Sequence, residues 1–397
     1  MYVSDRLKNM AESATIKMAQ LARELKSQGH EVISLSLGEP DFDTPEHIKE
    51  AATKALKDGY TKYTPVPGLL ELQEAIVTKF KRDNNLDFDK KQIVVSNGAK
   101  QSLANISLSL LNEGDEVIIF APYWVSYKEI IKLSGAVPVY VHATIDNDFK
   151  ITGSQLEAAI TDKTRMVLFS SPCNPTGSVY TKADFEPLAE VLARYPKLLI
   201  TSDEIYEYIN FLDAGHYSIA NFDSIKDRCI VVNGFSKGFS MTGWRLGYMA
   251  APLWVAQACA KMQGQFTSGA NAFGQKAAVD ALLGDMAPRL AMNETFRKRR
   301  DLLIGLLKDI DGFKVNFPEG AFYVFPNISA LYGKSVNGKV IKNSSDFCEY
   351  ILYTAHVAIV AGIAFGADDC VRIAYSASEE QLEEAIRRIK KAVAAMV

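Results

Sequence analysis

The stretch Ile230-Val231-Val232-Asn233-Gly234-Phe235-Ser236-Lys237-Gly238 constrains the fold more than any other part of the chain. An apolar β-branched run that stops at Asn-Gly marks a buried strand leaving its sheet, which sets Ser236 and Lys237 at the strand's carboxyl end. Open α/β sheets hold their ligands in that crevice. Arg245 follows eight positions after the lysine, with glycines between them. A lysine so placed suits a Schiff base with an aldehyde cofactor, the arginine holding that cofactor's phosphate. The same residues also read as an ordinary turn with a solvated lysine, so the remaining segments decide.

Several of them repeat the pattern of an apolar run ending in a polar or small-residue turn. Gln92-Ile93-Val94-Val95 runs into Ser96-Asn97-Gly98-Ala99-Lys100 and then an apolar helix over 101–111. Such a turn leaves the first N–H groups of the helix free to meet an anion. It is neither G-x-G-x-x-G nor a Walker loop, so dinucleotide and nucleoside triphosphate sites lack their motif. Val117–Phe120 leads to Trp124, which reads either as a flat face for a cofactor ring or as core. Met166–Phe169 leads to Asn174-Pro175, whose proline holds Asn174 extended and admits a cis bond. Leu198–Ser202 ends at Asp203, a carboxylate too costly to bury without a partner; a protonated pyridine nitrogen is its natural counter-charge, with Tyr206 three residues on.

Elsewhere the readings are more open. A helix is expected over 11–28, ended by Gly29, with Ser13 and Thr15 as capping hydroxyls. Val32–Leu37 reads as a strand entering the turn at Gly38, and Glu46–Lys57 as a helix. Tyr63 lies in a loop of aromatic residues and prolines and reads as a phosphate contact or an exposed ring on a neighbouring subunit. The chain is expected to be helical from Leu253 through Leu283, and the basic run Arg297–Arg300 to be the solvated face of a long helix. In Val371–Ser376 the alternation sets Arg372 on the face opposite Val371, Ile373 and Tyr375, displayed for a carboxylate.

Composition narrows the function. Of 397 residues, 48% are hydrophobic and 23% charged, with a net charge of −3 that invites neither nucleic acid nor a membrane surface. The five cysteines are scattered without C-x-x-C spacing, and the five histidines form no ligand motif, so reduced thiols and no metal are expected. Cys173 reads as a small buried thiol. With no signal-like start and no apolar run of membrane length, a cytoplasmic location is expected.

Taken in order, Ser-Leu-Gly-Glu-Pro-Asp-Phe, Ser-Asn-Gly-Ala-Lys-Gln, Asn-Pro-Thr-Gly, Ser-Asp-Glu-Ile-Tyr and Ser-Lys-Gly-Phe-Ser-Met-Thr-Gly-Trp-Arg closely resemble the class I aminotransferases of pyridoxal-phosphate fold type I. The nearest likeness is to the bacterial aspartate aminotransferase subgroup, and it runs over essentially the whole chain. The resemblance implies pyridoxal 5'-phosphate as cofactor, amino acids and 2-oxo acids as substrates, and a homodimer with shared active sites. It implies that Lys237 carries the cofactor and moves the substrate's Cα proton, that Asp203 holds the pyridine nitrogen, and that Tyr206 and Asn174 meet the phenolic oxygen. Trp124 would stack on the ring; Gly98, Ala99, Lys100, Ser236 and Arg245 would surround the phosphate, with Tyr63 contributed by the partner subunit. Arg372, helped by Gly38, Trp124 and Asn174, would hold the α-carboxylate, and Lys100 with Ser13 and Thr15 the distal one.

Two departures stand out. Gly234 replaces a serine of the animal and enteric members, and nothing basic lies between Lys261 and Lys276, where those members place an arginine for the partner's substrate. The resemblance implies an α/β architecture: a large domain over 44–288 with a mostly parallel, mixed sheet sandwiched by helices, and a smaller α+β domain formed by both termini, 1–43 and 289–397. Transfer from L-aspartate to 2-oxoglutarate by a ping-pong route is the expected activity. A broader aromatic, alanine or prephenate aminotransferase competes with it, and a non-catalytic cofactor-binding sensor of amino acids stands further off.

Overall fold

A computed structural model describes residues 2–336 and 338–397. Its main sheet has seven strands, numbered here in chain order: β1 Ile93–Ser96, β2 Glu116–Ala121, β3 Val137–His142, β4 Thr164–Ser170, β5 Leu199–Asp203, β6 Cys229–Gly234 and β7 Gly247–Ala250. They lie in the order β1-β7-β6-β5-β4-β2-β3. All neighbours are parallel except at β7, which runs antiparallel to both β1 and β6. The mixed, mostly parallel sheet is therefore as expected; β7, between Arg245 and the helix expected from Leu253, is a strand that the sequence reading does not name. Helix Leu253–Phe266 follows, and a break separates it from helix Ala272–Leu283. Four residues bounded by glycine and alanine carry too short an alternation to announce a strand.

Burial on both faces explains why these strands read as continuous apolar runs. In β4, Val167 and Phe169 enter one core with Phe120, Phe185 and Ile200. Met166 and Leu168 point to the opposite core with Val117, Ile119 and Val255. Helices cover both sides, among them Glu46–Lys57, found where expected and packed on Ala272–Leu283.

The two chain ends meet in a separate set of elements. Val371–Ala374 pairs antiparallel with Tyr323–Val324 and Val360–Ala361, and Ile33–Ser34 pairs parallel with Val357–Ala358. The strand expected over 32–37 is thus only two residues long, because the chain leaves it early to enter the Gly38 turn. Helix Glu379–Ala394 packs here through Leu382, Ala385, Ile386, Ile389 and Val393, which share one face of the helix, and Ser378 caps it by accepting from Gln381 N.

Helix Ala287–Lys308 corrects the reading of Arg297–Arg300 as a solvated face. Arg299 and Arg300 are both 7% exposed. Arg299 donates to both Asp41 carboxylate oxygens, and Arg300 Nη1 donates to the Pro318 carbonyl. Four consecutive basic residues span a full helical turn, so at least one must face inward, and these two found acceptors there.

Candidate active site

The carboxyl ends of β4, β5 and β6 surround a cavity of about 260 Å³. Lys237, three residues past β6, reaches into it, and its amine donates to the Gly38 carbonyl. Burial drives the Lys237 ammonium down to about 8; Arg372 and Arg245 push the same way, while Glu39 and Asp203 oppose. About a tenth of it is then neutral amine at pH 7, far more than for an ordinary lysine.

Asp203 closes β5 and is 4% exposed. Tyr127 Oη donates to its Oδ2 at 2.7 Å, and Ile205 N donates to its Oδ1 at 3.2 Å. Burial nevertheless raises the carboxyl to about 6, against those donors. Ser170 Oγ, at the end of β4, is buried without a partner and lines the same cavity. A desolvated carboxylate and an orphaned hydroxyl describe a site shaped for a polar ligand.

Helix Ala99–Leu110 starts at the cavity wall, with Gly98 as its N-cap at φ +85°. A Cβ on Gly98 would stand 2.5 Å from the Arg245 guanidinium, so glycine serves both the turn and the close approach of that arginine. Ala99, Lys100, Ser236 and Arg245 line the cavity, and Arg245 itself holds a left-handed φ of +53°. Free N–H groups of a helix's first turn beside an arginine make an anion cradle. A Cβ on Gly234 would approach Gly247 Cα to 2.9 Å and the Leu246 carbonyl to 3.0 Å. The tight β6–β7 pairing thus explains the missing serine.

Arg372 corrects another expectation. It is not displayed on an open face but 2% exposed, beneath the rings of Tyr323 at 4.5 Å and Phe365 at 4.9 Å. Both faces of its short strand are covered, so alternation alone could not tell cavity from solvent. Nη1 donates to Asn174 Oδ1 at 2.9 Å and Nη2 to the Ser36 carbonyl at 2.6 Å. Asn174 is therefore aimed by Arg372. The cis bonds are Ala121–Pro122 and Ser171–Pro172, so the cis Asn174–Pro175 bond admitted from the sequence is not found.

Ser13 and Thr15 do not serve as the helix caps that the sequence suggests. Helix Ala14–Ser27 receives no side-chain cap from Ser13; its hydroxyl instead bonds that of Thr15 at 2.8 Å, and both line the cavity. Lys100 stands near them with its ammonium 4.8 Å from the Trp124 ring centre, held below its ordinary value by partial burial and by Arg245. Tyr206 donates to or accepts from Tyr323 Oη at 2.8 Å at the cavity wall. Gly38 lies against that same Tyr323 hydroxyl, with no room for a Cβ. Tyr63 alone is far from this cluster in character, 98% exposed and not part of its own chain's cavity.

Sequence reasoning missed Tyr127, Ser170 and Tyr323. Tyr127 lies three residues after Trp124, in the first turn of the helix that follows it; Tyr323 sits in a strand of two residues, which gives no period to read. Cys173 is buried with its thiol pushed up by burial, an inert group as expected. Away from the cavity, Glu204, Glu207 and His216 bring ligand atoms within 4.8 Å of one another. Lys79 already pairs with Glu207, and His216 Nε2 lies 2.9 Å from Glu204, so each carboxylate already has a partner from the chain itself.

The family model for aminotransferases of class I and II matches residues 30–389. A Petunia hybrida protein, a bifunctional aspartate aminotransferase and glutamate/aspartate-prephenate aminotransferase, is 48% identical over 395 residues, covering 98% of this chain and 82% of its own. Among solved structures, an aspartate aminotransferase from Rhizobium meliloti superposes with a TM-score of 0.97 at 42% identity, covering 100% of both chains. The Thermus thermophilus aspartate aminotransferase with maleate gives 0.93 at 38% identity, covering 99% of this chain and 100% of that one.

Proposed function

The chain belongs to the class I and II aminotransferases, and from that premise we propose that it transfers the amino group of L-aspartate to 2-oxoglutarate, using pyridoxal 5'-phosphate held around Lys237. A desolvated amine, carboxylate and guanidinium converge on one cavity, and that convergence carries the proposal. The residues present fit the cofactor: Asp203 matches a protonated pyridine nitrogen, Tyr206 and Asn174 its phenolic oxygen, and the Trp124 face its ring. Gly98, Ala99, Ser236 and Arg245 form the phosphate cradle. When bound, the cofactor supplies an electron sink for the pair left at Cα.

The chain's own groups do the rest. Arg372 presents a planar fork, already oriented by Asn174 and Ser36, to the α-carboxylate. Lys237 Nζ, which burial makes easier to deprotonate than an ordinary lysine, takes the Cα proton as general base. Lys100, Ser13 and Thr15 at the cavity mouth receive a distal carboxylate, the feature that selects aspartate and glutamate. The maleate bound by the Thermus relative is a dicarboxylate, which supports this assignment.

A second oxo-acid class has its own support. Ile16 and Leu37 line the cavity although 63% and 44% exposed, and with Trp124 they offer apolar surface to a larger, aromatic or prephenate-like substrate. Tyr63 extends from the protomer and is read as completing the partner's phosphate site in a homodimer. We also read the two sets of packed elements as the large domain over 44–288 and the small domain over 1–43 and 289–397. The test is the visible absorbance of the purified protein with pyridoxal phosphate, before and after L-aspartate, L-tyrosine or L-alanine. Bleaching by aspartate and its loss in Lys237→Ala are expected. Bleaching by tyrosine or alanine alone overturns the substrate, and no band at all overturns the cofactor.

A further inference from the structure

Tyr127 belongs to none of the motifs above. It is the second residue of helix Ser126–Leu133 and 1% exposed. Its ring meets Trp124 edge to face, centroids 5.5 Å apart at 86°, and its hydroxyl donates to Asp203 Oδ2 at 2.7 Å. One side chain thus joins the two groups read as gripping the cofactor ring, the indole and the carboxylate.

Asp203 needs that donor. The titratable groups facing it are Tyr127 from this helix, Cys173 from the loop after β4, Glu204 from its own strand end, Tyr206 from the next turn and Lys237 from beyond β6. Burial dominates and favours the neutral acid, and the charge of Glu204 adds to it, whereas the Tyr127 hydroxyl and the Ile205 N–H favour the anion. Glu204 is itself occupied by Ser202, Ser218 and His216, so it lends Asp203 no proton donor. Tyr127 cannot become the anion in place of Asp203, because full burial and that neighbouring carboxylate hold its phenol well above the ordinary range.

We propose that Tyr127 is a positioning residue: its hydroxyl holds Asp203 as an anion in a single rotamer, so that a proton shared between Asp203 and the cofactor's ring nitrogen rests on the nitrogen. The inference depends on the cofactor reading given under Proposed function. A proton on nitrogen makes the ring withdraw electrons; the same proton on Asp203 does not.

Tyr127→Phe removes the hydroxyl and keeps the ring contact with Trp124. The holoenzyme is rebuilt with pyridoxal phosphate carrying nitrogen-15 in the ring, and its nitrogen resonance is followed from pH 6 to 9. The parent is expected to show a protonated nitrogen throughout. In Tyr127→Phe the resonance should move toward the neutral position, with kcat down by about tenfold, the scale of one lost bond to a charged group, and KM for aspartate within about twofold. Tyr127→His, which restores an N–H donor, should recover part of the shift. A parent whose ring nitrogen is neutral overturns the inference, as does an unchanged resonance in both variants. A parent that takes up no pyridoxal phosphate overturns the cofactor reading and this inference with it, an outcome distinct from either.

Discussion

Arg299 grips Asp41 with two parallel hydrogen bonds, Nη1 to Oδ1 at 2.6 Å and Nη2 to Oδ2 at 2.8 Å. Asp41 sits three residues past Gly38, whose carbonyl receives the Lys237 amine, so this pair anchors the turn that forms one wall of the cavity. Arg299 is nearly buried and Asp41 about one-third exposed. Arg299→Gln should therefore cost about 2 kcal/mol, the low end for breaking a partly buried charge pair. Urea unfolding would measure the loss, and hydrogen exchange should show faster opening confined to 36–43. An equal loss in Arg297→Gln, whose pairing is exposed and long at 3.7 Å, would contradict this assignment.

Asp203 is held against its own preference. In the cofactor-free protein its carboxyl lies at about 6 rather than 3.8. Because the folded state then binds the extra proton between those values, stability falls as pH rises through that window. Asp203→Asn removes the charge and should stabilise the cofactor-free protein at pH 7 by up to about 3 kcal/mol. The gain should vanish below pH 4. The same change should weaken pyridoxal phosphate binding and remove most of the activity. Calorimetry at pH 4 and pH 7, beside an activity assay, decides; a variant less stable at pH 7 would show that the carboxylate is already stabilised without a ligand.

What could be read in advance followed from chemistry placed at strand ends. Asp203, Asn174, Lys237 and the Gly98 turn each close an apolar run, and that position alone directs them to one crevice. The remainder depended on packing that no local pattern encodes. Arg372 looked displayed because alternation reports a side and not what covers it; Tyr323 and Phe365 come from distant segments to enclose it. Arg299 and Arg300 looked solvated because their acceptors, Asp41 and Pro318, lie elsewhere in the chain. Gly247–Ala250 hid as a strand because β1 and β6 supply its pairing.

Gly38 has no space for a side chain. A Cβ there would stand 2.1 Å from Tyr323 Oη, the atom that bonds Tyr206 at 2.8 Å. Gly38→Ala must push Tyr323 away from Tyr206 or lift the turn from Lys237. Destabilisation of about 1–3 kcal/mol is expected from the overpacking, with kcat/KM for aspartate reduced at least tenfold. Gly38→Ala combined with Tyr323→Phe deletes the clashing oxygen and should recover much of the stability. Losses that simply add in the double variant would mean that the clash is relieved elsewhere.

Lys237 should record its burial in a pH profile. Enclosure in the cavity lowers its ammonium to about 8 in the cofactor-free protein, from 10.5 when unfolded. Between those values the unfolded chain binds the additional proton, so stability rises with pH across the window, and below it the buried charge costs up to about 3 kcal/mol. Lys237→Met keeps an unbranched side chain and cannot be charged. It should be more stable than the parent at pH 7, with the difference shrinking toward pH 10 as the parent loses its own proton. Denaturant midpoints at four pH values measure this. The rate at which the parent's Lys237 captures pyridoxal phosphate should climb through about pH 8, since only the neutral amine attacks the aldehyde. A stability difference that stays constant with pH would place the lysine's titration outside this range and shift the general-base role to conditions where the cofactor is already bound.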